Sequence, residues 1–256
     1  MKLILDEIEK KYGDKQVLKK ASCTFEKGKI YGLLGRNGAG KTTLFNCISA
    51  DLVHDSGSIR LLEDDDDDDG DGDDVQAIEK NSQKKNNSVH IDYTKVGYVF
   101  AEPVLPEFLT GYEFLKFYID INKNKIKDLR TIEEYFEIIK IDEEDRYRLI
   151  KGYSHGMKNK IQLVCFLITR PPVILLDEPL TSFDVIVALE IKNLLKEIKG
   201  EHIIIFSTHI LQLATDLCDE IVILNNGTLE KLDSEILKDP GFEEKIIDIL
   251  KETDHD

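Results

Sequence analysis

The stretch Gly35-Arg36-Asn37-Gly38-Ala39-Gly40-Lys41-Thr42-Thr43 decides the fold of this chain. Its glycine spacing, followed by Lys and Thr, matches a phosphate-binding loop (P-loop) at every required position. In such a loop, successive backbone N–H groups turn inward around phosphate oxygens, and the helix that follows directs its positive N-terminus at the same anion. The motif therefore predicts a nucleoside triphosphate site.

The residues of this loop predict separate roles in holding a nucleotide. Lys41 is expected to contact the β- and γ-phosphates, and the Thr42 hydroxyl is the expected Mg²⁺ ligand. Magnesium suits this position because it keeps several waters and takes few protein oxygens beside those of the nucleotide. Thr43 is expected to support the loop. The remaining loop residues complete the predicted binding set: Gly35, Arg36, Asn37, Gly38, Ala39 and Gly40.

The residues on either side of the loop supply the context that the motif needs. Residues 30–34 form a short apolar run that is typical of a buried strand. The apolar residues after the loop share one helical face: Leu44, Phe45, Cys47 and Ile48. Strand, loop and helix thus follow in the required order. A glycine-rich turn without a ligand is the alternative.

Length and composition favour one α/β domain, or a core with a small inserted subdomain. The chain has 256 residues, of which 41% are hydrophobic, enough for a sizeable core. No apolar run approaches the roughly 18 to 20 residues that span a bilayer, and residues 1–5 are too short for the apolar region of a signal peptide. We therefore expect a cytoplasmic chain. Its cysteines are far apart in apolar surroundings, which indicates reduced core residues: Cys23, Cys47, Cys165 and Cys218.

The formal net charge of −16 is unevenly distributed. Residues 63–74 carry ten acidic side chains and no bases, and removing these ten charges leaves −6. A mildly acidic body gives little electrostatic reason to expect nucleic-acid binding. Residues 63–92 are too hydrophilic to bury a core, so we expect a disordered acidic insertion. Calcium binding is the alternative, although no register places a glutamate at the twelfth position of an EF-hand loop.

A second chemical motif is Val173-Ile174-Leu175-Leu176-Asp177-Glu178. A hydrophobic run that ends in two carboxylates is typical of a buried parallel strand that delivers acids to the edge where the P-loop also opens. Asp177 is expected to bind Mg²⁺ through its hydration shell. Glu178 is expected to orient and deprotonate the attacking water. An ordinary strand end is the alternative.

The segment Tyr153-Ser154-His155-Gly156-Met157-Lys158 precedes an apolar helical stretch, and Ser154 is a good N-cap candidate. The segment resembles the Leu-Ser-Gly-Gly-Gln signature of ATP-binding cassette (ABC) proteins. By this resemblance the chain is identified as an ABC ATPase subunit. In that family two cassettes pair head to tail and enclose ATP between the P-loop of one and the signature of the other. The resemblance therefore implies that four residues face the ATP held by a second cassette, in a homodimer or a heterodimer: Ser154, His155, Gly156 and Met157.

Three further segments resemble ABC motifs. Residues 180–184 resemble the D-loop, in which Asp184 would couple the two facing sites. His209 follows an apolar run and Ser207-Thr208, as the switch histidine does, so it is a candidate catalytic residue beside Lys41 and Glu178. Tyr12 resembles the aromatic residue that stacks on adenine. The alternatives are a structural histidine and a strand aromatic that packs on the core.

Two segments depart from the family pattern. In the signature, His155 replaces the first glycine and Met157 replaces the glutamine, so His155 either bonds the phosphate or points to solvent. Val96-Gly97-Tyr98-Val99-Phe100-Ala101-Glu102-Pro103 resembles the strand that leads into the Q-loop, with Ala101 where the glutamine belongs. Alanine cannot ligate Mg²⁺. Either Glu102 replaces that ligand, or communication with a membrane partner proceeds differently.

The resemblance implies an α/β fold: a RecA-like P-loop NTPase core with a parallel sheet, an antiparallel β region and an inserted helical subdomain. We expect one ABC ATPase domain over residues 1–256. Its predicted parts are a nucleotide-binding core (1–62 and 160–232), the acidic insertion (63–92), a helical subdomain (103–159) and a C-terminal helical tail (233–256).

The segments around Tyr98 and Tyr153 look most like those of bacterial export cassettes whose membrane subunit is a separate chain. The function implied by this resemblance is ATP binding and hydrolysis that powers export through a separate integral membrane subunit. The cofactors are ATP and Mg²⁺, and the cassette would lie on the inner face of the cell membrane through its membrane partner. Two alternatives remain open. One is a soluble ABC ATPase without a pore, and the other is a regulatory cassette that hydrolyses ATP weakly.

Overall fold

The computed structural model describes residues 1–63, 92–126, 129–179 and 185–251. Residues 64–91 of the predicted acidic insertion lie outside the described residues. So does the predicted D-loop with Asp184.

The described residues form two β-sheets and a set of helices. The strands are β1 Lys2–Tyr12, β2 Lys15–Glu26, β3 Ile30–Leu34, β4 Ser56–Leu62, β5 Val96–Val99, β6 Val173–Asp177, β7 Ile203–Thr208, β8 Glu220–Asn225 and β9 Thr228–Lys231. The α-helices are α1 Lys41–Ile48, α2 Gly111–Asn122, α3 Ile132–Ile138, α4 Glu143–Arg146, α5 His155–Thr169, α6 Val185–Ile198, α7 Leu211–Leu217 and α8 Phe242–Lys251.

The larger sheet has the strand order β5-β6-β7-β3-β8-β9. Its first five strands are parallel, and β9 adds an antiparallel edge. Every residue of β3, β6 and β7 is buried, because these strands are covered on both faces and their sequences are almost continuously apolar. The predicted parallel core is confirmed. Its strands bring the C-terminal ends of β3, β6 and β7 to one edge.

The smaller sheet is antiparallel, in the order β2-β1-β4. Its inward side chains pack with α1 and with one face of the parallel sheet, as the contacts among Leu5, Phe25, Phe45 and Leu175 show. This cluster places β2 beside the loop between β3 and α1. The predicted antiparallel β region is confirmed.

Helices α2, α3 and α4 follow β5 and form the predicted helical region. Capping boxes start two of them: Thr110 and Glu113 at α2, and Thr131 and Glu134 at α3. The apolar faces of α2 and α3 share one core with α5. The predicted boundary between residues 159 and 160 falls inside α5, because this helix packs against both α2 and β5.

The C-terminal helix α8 packs on the parallel sheet beyond β8. Phe242 and Ile246 are buried against Leu34 and Ile223. A 3-10 turn, Ser234–Lys238, precedes this helix, and both elements lie in the segment predicted as a C-terminal helical tail. Among the described helices, none is long and apolar enough to cross a membrane.

Candidate nucleotide site

The P-loop connects β3 to α1 and needs glycine at particular positions. Gly40 caps α1 with a φ of 106°, and a Cβ there would lie 2.7 Å from Cγ1 of Val17. A Cβ at Gly35 would lie 2.7 Å from the carbonyl oxygen of Leu224. The loop therefore approaches β2 and β8 so closely that side chains at these two positions are excluded.

The loop borders a cavity of about 380 Å³ at the C-terminal edge of the parallel sheet. Its lining residues are Val17, Asn37, Gly38, Gly40, Lys41, Thr42, Thr43, Ala101, Asp177 and Glu178. A neighbouring cavity of about 430 Å³ shares Val17, Asn37 and Gly38 and extends along β2 past Arg36 and Ala39. The structure thus gathers the predicted P-loop and acidic-strand residues around one concave surface.

Lys41 is a buried cation inside the loop. Its Nζ donates hydrogen bonds to the carbonyl oxygens of Gly35, at 2.7 Å, and Arg36, at 3.2 Å. Burial lowers the pKa of the Lys41 ammonium, and the charges of Glu178 and Asp177 act in the opposite direction. A phosphate anion would favour the charged form further, so this side chain is suited to anion binding.

Asp177 is a buried carboxylate that accepts hydrogen bonds from three hydroxyl groups. Thr42 Oγ1 donates to Oδ2 at 2.7 Å, Tyr98 donates to the same oxygen at 3.3 Å, and Ser207 Oγ donates to Oδ1. Burial raises the pKa of Tyr98, so this hydroxyl remains a donor. A threonine hydroxyl and a carboxylate in contact beside the phosphate loop fit Mg²⁺, which prefers a few oxygen ligands.

Glu178 follows the strand directly and has a left-handed backbone conformation, with φ of 49°. For a non-glycine residue this conformation costs about 1–3 kcal/mol, so surrounding contacts must hold it. Its N–H donates to Ser207 Oγ at 3.1 Å. Its carboxylate lies 3.1 Å from Nδ1 of His209, which follows β7 and is about half exposed. Two of the three predicted catalytic side chains, Glu178 and His209, therefore lie in contact, and Glu178 is the one of the two that lines the P-loop cavity.

A family model described as ABC transporter matches residues 18–181, which is more than half of the chain. The chain belongs to the ABC transporter family. It is therefore an ABC ATPase cassette, and its fold is an α/β P-loop NTPase fold.

Two curated relatives illustrate the range of named ABC proteins that this cassette resembles. The bacitracin transport ATP-binding protein BcrA of Enterococcus faecalis is 30% identical over 226 residues, covering 88% of this chain and 66% of the relative. The sulfate/thiosulfate import ATP-binding protein CysA of Vibrio cholerae is 29% identical over 243 residues, covering 92% and 59%. The cassette spans about two thirds or less of the length of these two relatives.

The fold of the ABC cassette also matches solved structures. The ATP-binding subunit of an ABC transporter superposes with a TM-score of 0.72 at 24% identity, covering 98% of this chain and all of that one. At this level of identity the likeness shows the fold.

The signature segment of the cassette starts α5. Ser154 caps the helix by accepting a hydrogen bond from the Met157 N–H at 3.2 Å, which confirms the predicted N-cap. His155 is exposed, whereas Gly156 and Met157 are half-buried. None of these residues lines the P-loop cavity. Their predicted role toward a second cassette concerns a different surface.

Of three other predicted site residues, Ala101, Glu102 and Tyr12, one lines the P-loop cavity. Ala101 lines the P-loop cavity, whereas Glu102 is exposed and is not among the lining residues. Tyr12 is 50% exposed at the end of β1 and lines neither of the two cavities. The structure thus brings Ala101 to the cavity and leaves Glu102 and Tyr12 outside its wall.

Sequence reasoning missed several residues that organise the site. Val17 of β2 lines both cavities, and the Tyr98 and Ser207 hydroxyls hold Asp177. Gln162 is buried in α5 and donates to the carbonyl oxygen of Phe100, at 3.1 Å. The sequence signal for Gln162 is a single polar residue within an apolar helical stretch, which indicates a buried hydrogen bond. Ser207 lies two residues before His209, but its contacts with Asp177 and Glu178 depend on the pairing of β7 with β6, which the sequence does not give.

Proposed function

We propose that this cassette binds Mg²⁺-ATP at the P-loop, hydrolyses it, and thereby powers transport through a separate integral membrane subunit. The observation that carries the proposal is a continuous set of hydrogen bonds at the cavity. It joins Thr42 to Asp177, Asp177 to Ser207, Ser207 to Glu178, and Glu178 to His209.

In the proposed bound state, the P-loop N–H groups and the N-terminus of α1 surround the phosphates. Lys41 exchanges loop carbonyl oxygens for oxygens of the β- and γ-phosphates. Thr42 and Asp177 would hold Mg²⁺, which when bound neutralises charge on the phosphate oxygens. The buried position of Asp177 keeps its carboxylate directed at Thr42.

In the proposed hydrolytic step, Glu178 accepts a proton from the attacking water. The water oxygen then bonds to the γ-phosphorus as the bond to the ADP oxygen breaks. His209 holds the Glu178 carboxylate and contacts the γ-phosphate from the neighbouring strand end. The 3.1 Å contact between these two side chains supports this arrangement.

We further propose that the active unit contains two cassettes. The signature residues 154–157 lie away from the cavity of their own chain, at the N-terminus of the long helix α5. That helix end offers unpaired N–H groups and positive dipole to the ATP of a second cassette. ATP would close the pair, and hydrolysis would reopen it.

A membrane partner is supported by the segment between β5 and α2. Val104 and Phe108 in this segment are each 78% exposed, and Ala101 near its start lines the cavity. Exposed apolar side chains in one short segment favour a protein interface. Docking there would place the cassette at the cytoplasmic face of the membrane.

Export is the direction that we propose, on the likeness of the segments around Tyr98 and Tyr153 to bacterial export cassettes. One relative is named for bacitracin transport and another for sulfate/thiosulfate import, so their names leave the direction open. Inside-out vesicles that contain the cassette and its membrane subunit should accumulate substrate when ATP is added. Loss of preloaded substrate would instead indicate import.

A regulatory cassette with weak hydrolysis is the second candidate. Ala101 favours it, because a methyl group at the cavity wall can neither ligate Mg²⁺ nor bond phosphate. A steady-state assay of the purified cassette across protein concentrations distinguishes the two. Turnover that requires Mg²⁺ and rises faster than linearly with protein supports a hydrolytic dimer. Nucleotide binding without turnover at any concentration supports the regulatory cassette.

A further inference from the structure

Ser207 occupies a position between the two acidic residues of the neighbouring strand. It is fully buried near the end of β7 and is paired in register with Asp177 of β6. Its hydroxyl contacts both Asp177 Oδ1 and the Glu178 N–H. The N–H can only donate and the carboxylate oxygen accepts, so the hydroxyl hydrogen points to Asp177 and a lone pair faces Glu178.

The bond to Glu178 acts on the peptide that sets the direction of this side chain. Its N–H belongs to the Asp177–Glu178 peptide, and the φ of 49° follows immediately. This hydrogen bond holds the Asp177–Glu178 peptide in place and so helps to keep Glu178 in a left-handed conformation, which is unfavourable for glutamate. From that conformation the carboxylate reaches the cavity and His209.

We infer that Ser207 is a positioning residue for ATP hydrolysis. One hydroxyl ties the carboxylate proposed for Mg²⁺, Asp177, to the backbone of the proposed base, Glu178. The inference rests on the proposed role of Glu178 as the base. Ser207 therefore acts on the chemical step, and ATP binding depends on it less.

The other hydroxyl groups at Asp177 offer a comparison within the same site. Thr42 and Tyr98 also donate to Asp177, but Ser207 is the member of this trio that contacts Glu178. Tyr98→Phe removes a donor from Asp177 and leaves the Glu178 peptide anchored. It should therefore reduce kcat less than Ser207→Ala does.

A matched control occurs in the antiparallel sheet. Ser22 accepts a hydrogen bond from the Glu7 N–H at 2.8 Å, and Glu7 is likewise left-handed, with φ of 47°. Ser22 is exposed and lines none of the cavities described above. Ser22→Ala removes the same kind of hydrogen bond and should leave kcat unchanged.

The test compares Ser207→Ala and Ser207→Thr with the wild-type cassette in steady-state hydrolysis, ATP-analogue binding and thermal unfolding. Ser207→Ala should lower kcat about tenfold, with KM and analogue affinity within about twofold. Ser207→Thr keeps the hydroxyl and should recover most of the turnover. The unfolding midpoint of each variant separates these effects from loss of the fold. Unchanged kcat in a folded Ser207→Ala variant would overturn the inference.

A double-mutant cycle tests whether Ser207 acts through Glu178. In a Glu178→Gln background, single-turnover hydrolysis should be insensitive to Ser207→Ala, because the base is already absent. An equal fold-loss in both backgrounds, or a loss confined to ATP affinity, would assign Ser207 to Asp177 alone and overturn the inference. Undiminished turnover of Glu178→Gln itself would instead reject the proposed base.

Discussion

The P-loop edge and the signature turn differ in how many of their functional groups already form hydrogen bonds within the same chain. The P-loop edge comprises residues 35–43 with Asp177, Glu178, Ser207 and His209, and hydrogen bonds within the chain join Thr42, Asp177, Ser207, Glu178 and His209. The signature turn comprises residues 154–157. Ser154 bonds its own helix there, and His155 is exposed.

This difference indicates a division of tasks between the two regions. The P-loop edge is preorganised, so its hydroxyl and carboxylate groups need little rearrangement to meet a phosphate. The signature turn offers a helix N-terminus, which contributes only when a phosphate from elsewhere reaches it. Substitutions in the two regions should therefore have different effects on binding and turnover.

The largest expected effect is that of Glu178→Gln at the P-loop edge. Removing the proposed base while keeping its shape should lower kcat by about 10²- to 10⁴-fold, the range for general base catalysis. ATP affinity should be kept, and size-exclusion chromatography with Mg²⁺-ATP should show a trapped dimer. A variant that binds ATP but stays monomeric would contradict the two-cassette mechanism.

A smaller effect is expected for Lys41→Ala. This change removes a charge-assisted contact, which contributes about 1.5–3 kcal/mol, so ATP affinity should fall about 10- to 100-fold. Titration with a fluorescent ATP analogue measures the change. Lys238→Ala, at an exposed ion pair with Glu235, is the control and should bind normally. If the Lys41 variant bound ATP as tightly as the wild type, the Lys41 ammonium would not contact the phosphates and would instead stay bonded to the loop carbonyl oxygens.

The smallest effect is expected for Ser154→Ala in the signature turn. Losing this N-cap should lower the free energy of unfolding by about 1 kcal/mol, measured by urea denaturation. ATP affinity of the isolated cassette should not change, because Ser154 lies outside the P-loop cavity. A loss of monomer affinity would contradict the separation of the two regions.

Much of the fold could be predicted because short continuous stretches of sequence indicate its main elements. The buried strands β3 and β6 are continuous apolar runs, and the P-loop fixes the order of strand, loop and helix. The cap at Ser154 is also a local pattern. The closeness of Lys41 and Thr42 to Asp177 and Glu178 could be predicted from the P-loop motif and from the sheet edge at which the acidic strand ends.

The missed contacts depend on registers and packing across distant segments. The role of Ser207 follows from its pairing with Asp177, which lies 30 residues away. Gln162 is buried because α5 packs against β5, where the Phe100 carbonyl oxygen is available. The same packing explains why a subdomain boundary at residue 160 cuts a continuous helix. Such contacts cannot be assigned until the elements are placed in space.

Hydrolysis by a mixture of two variants, each impaired in one of the two regions, tests directly whether an ATP site is shared between two cassettes. Lys41→Ala impairs the P-loop edge of its chain. Gly156→Asp places a carboxylate in the signature turn, where it suits the helix dipole but repels the phosphate of a second cassette. A mixed dimer contains one site with both regions intact, so mixing should restore turnover above the sum of the separate activities. A mixture no more active than that sum would contradict a site shared between two cassettes.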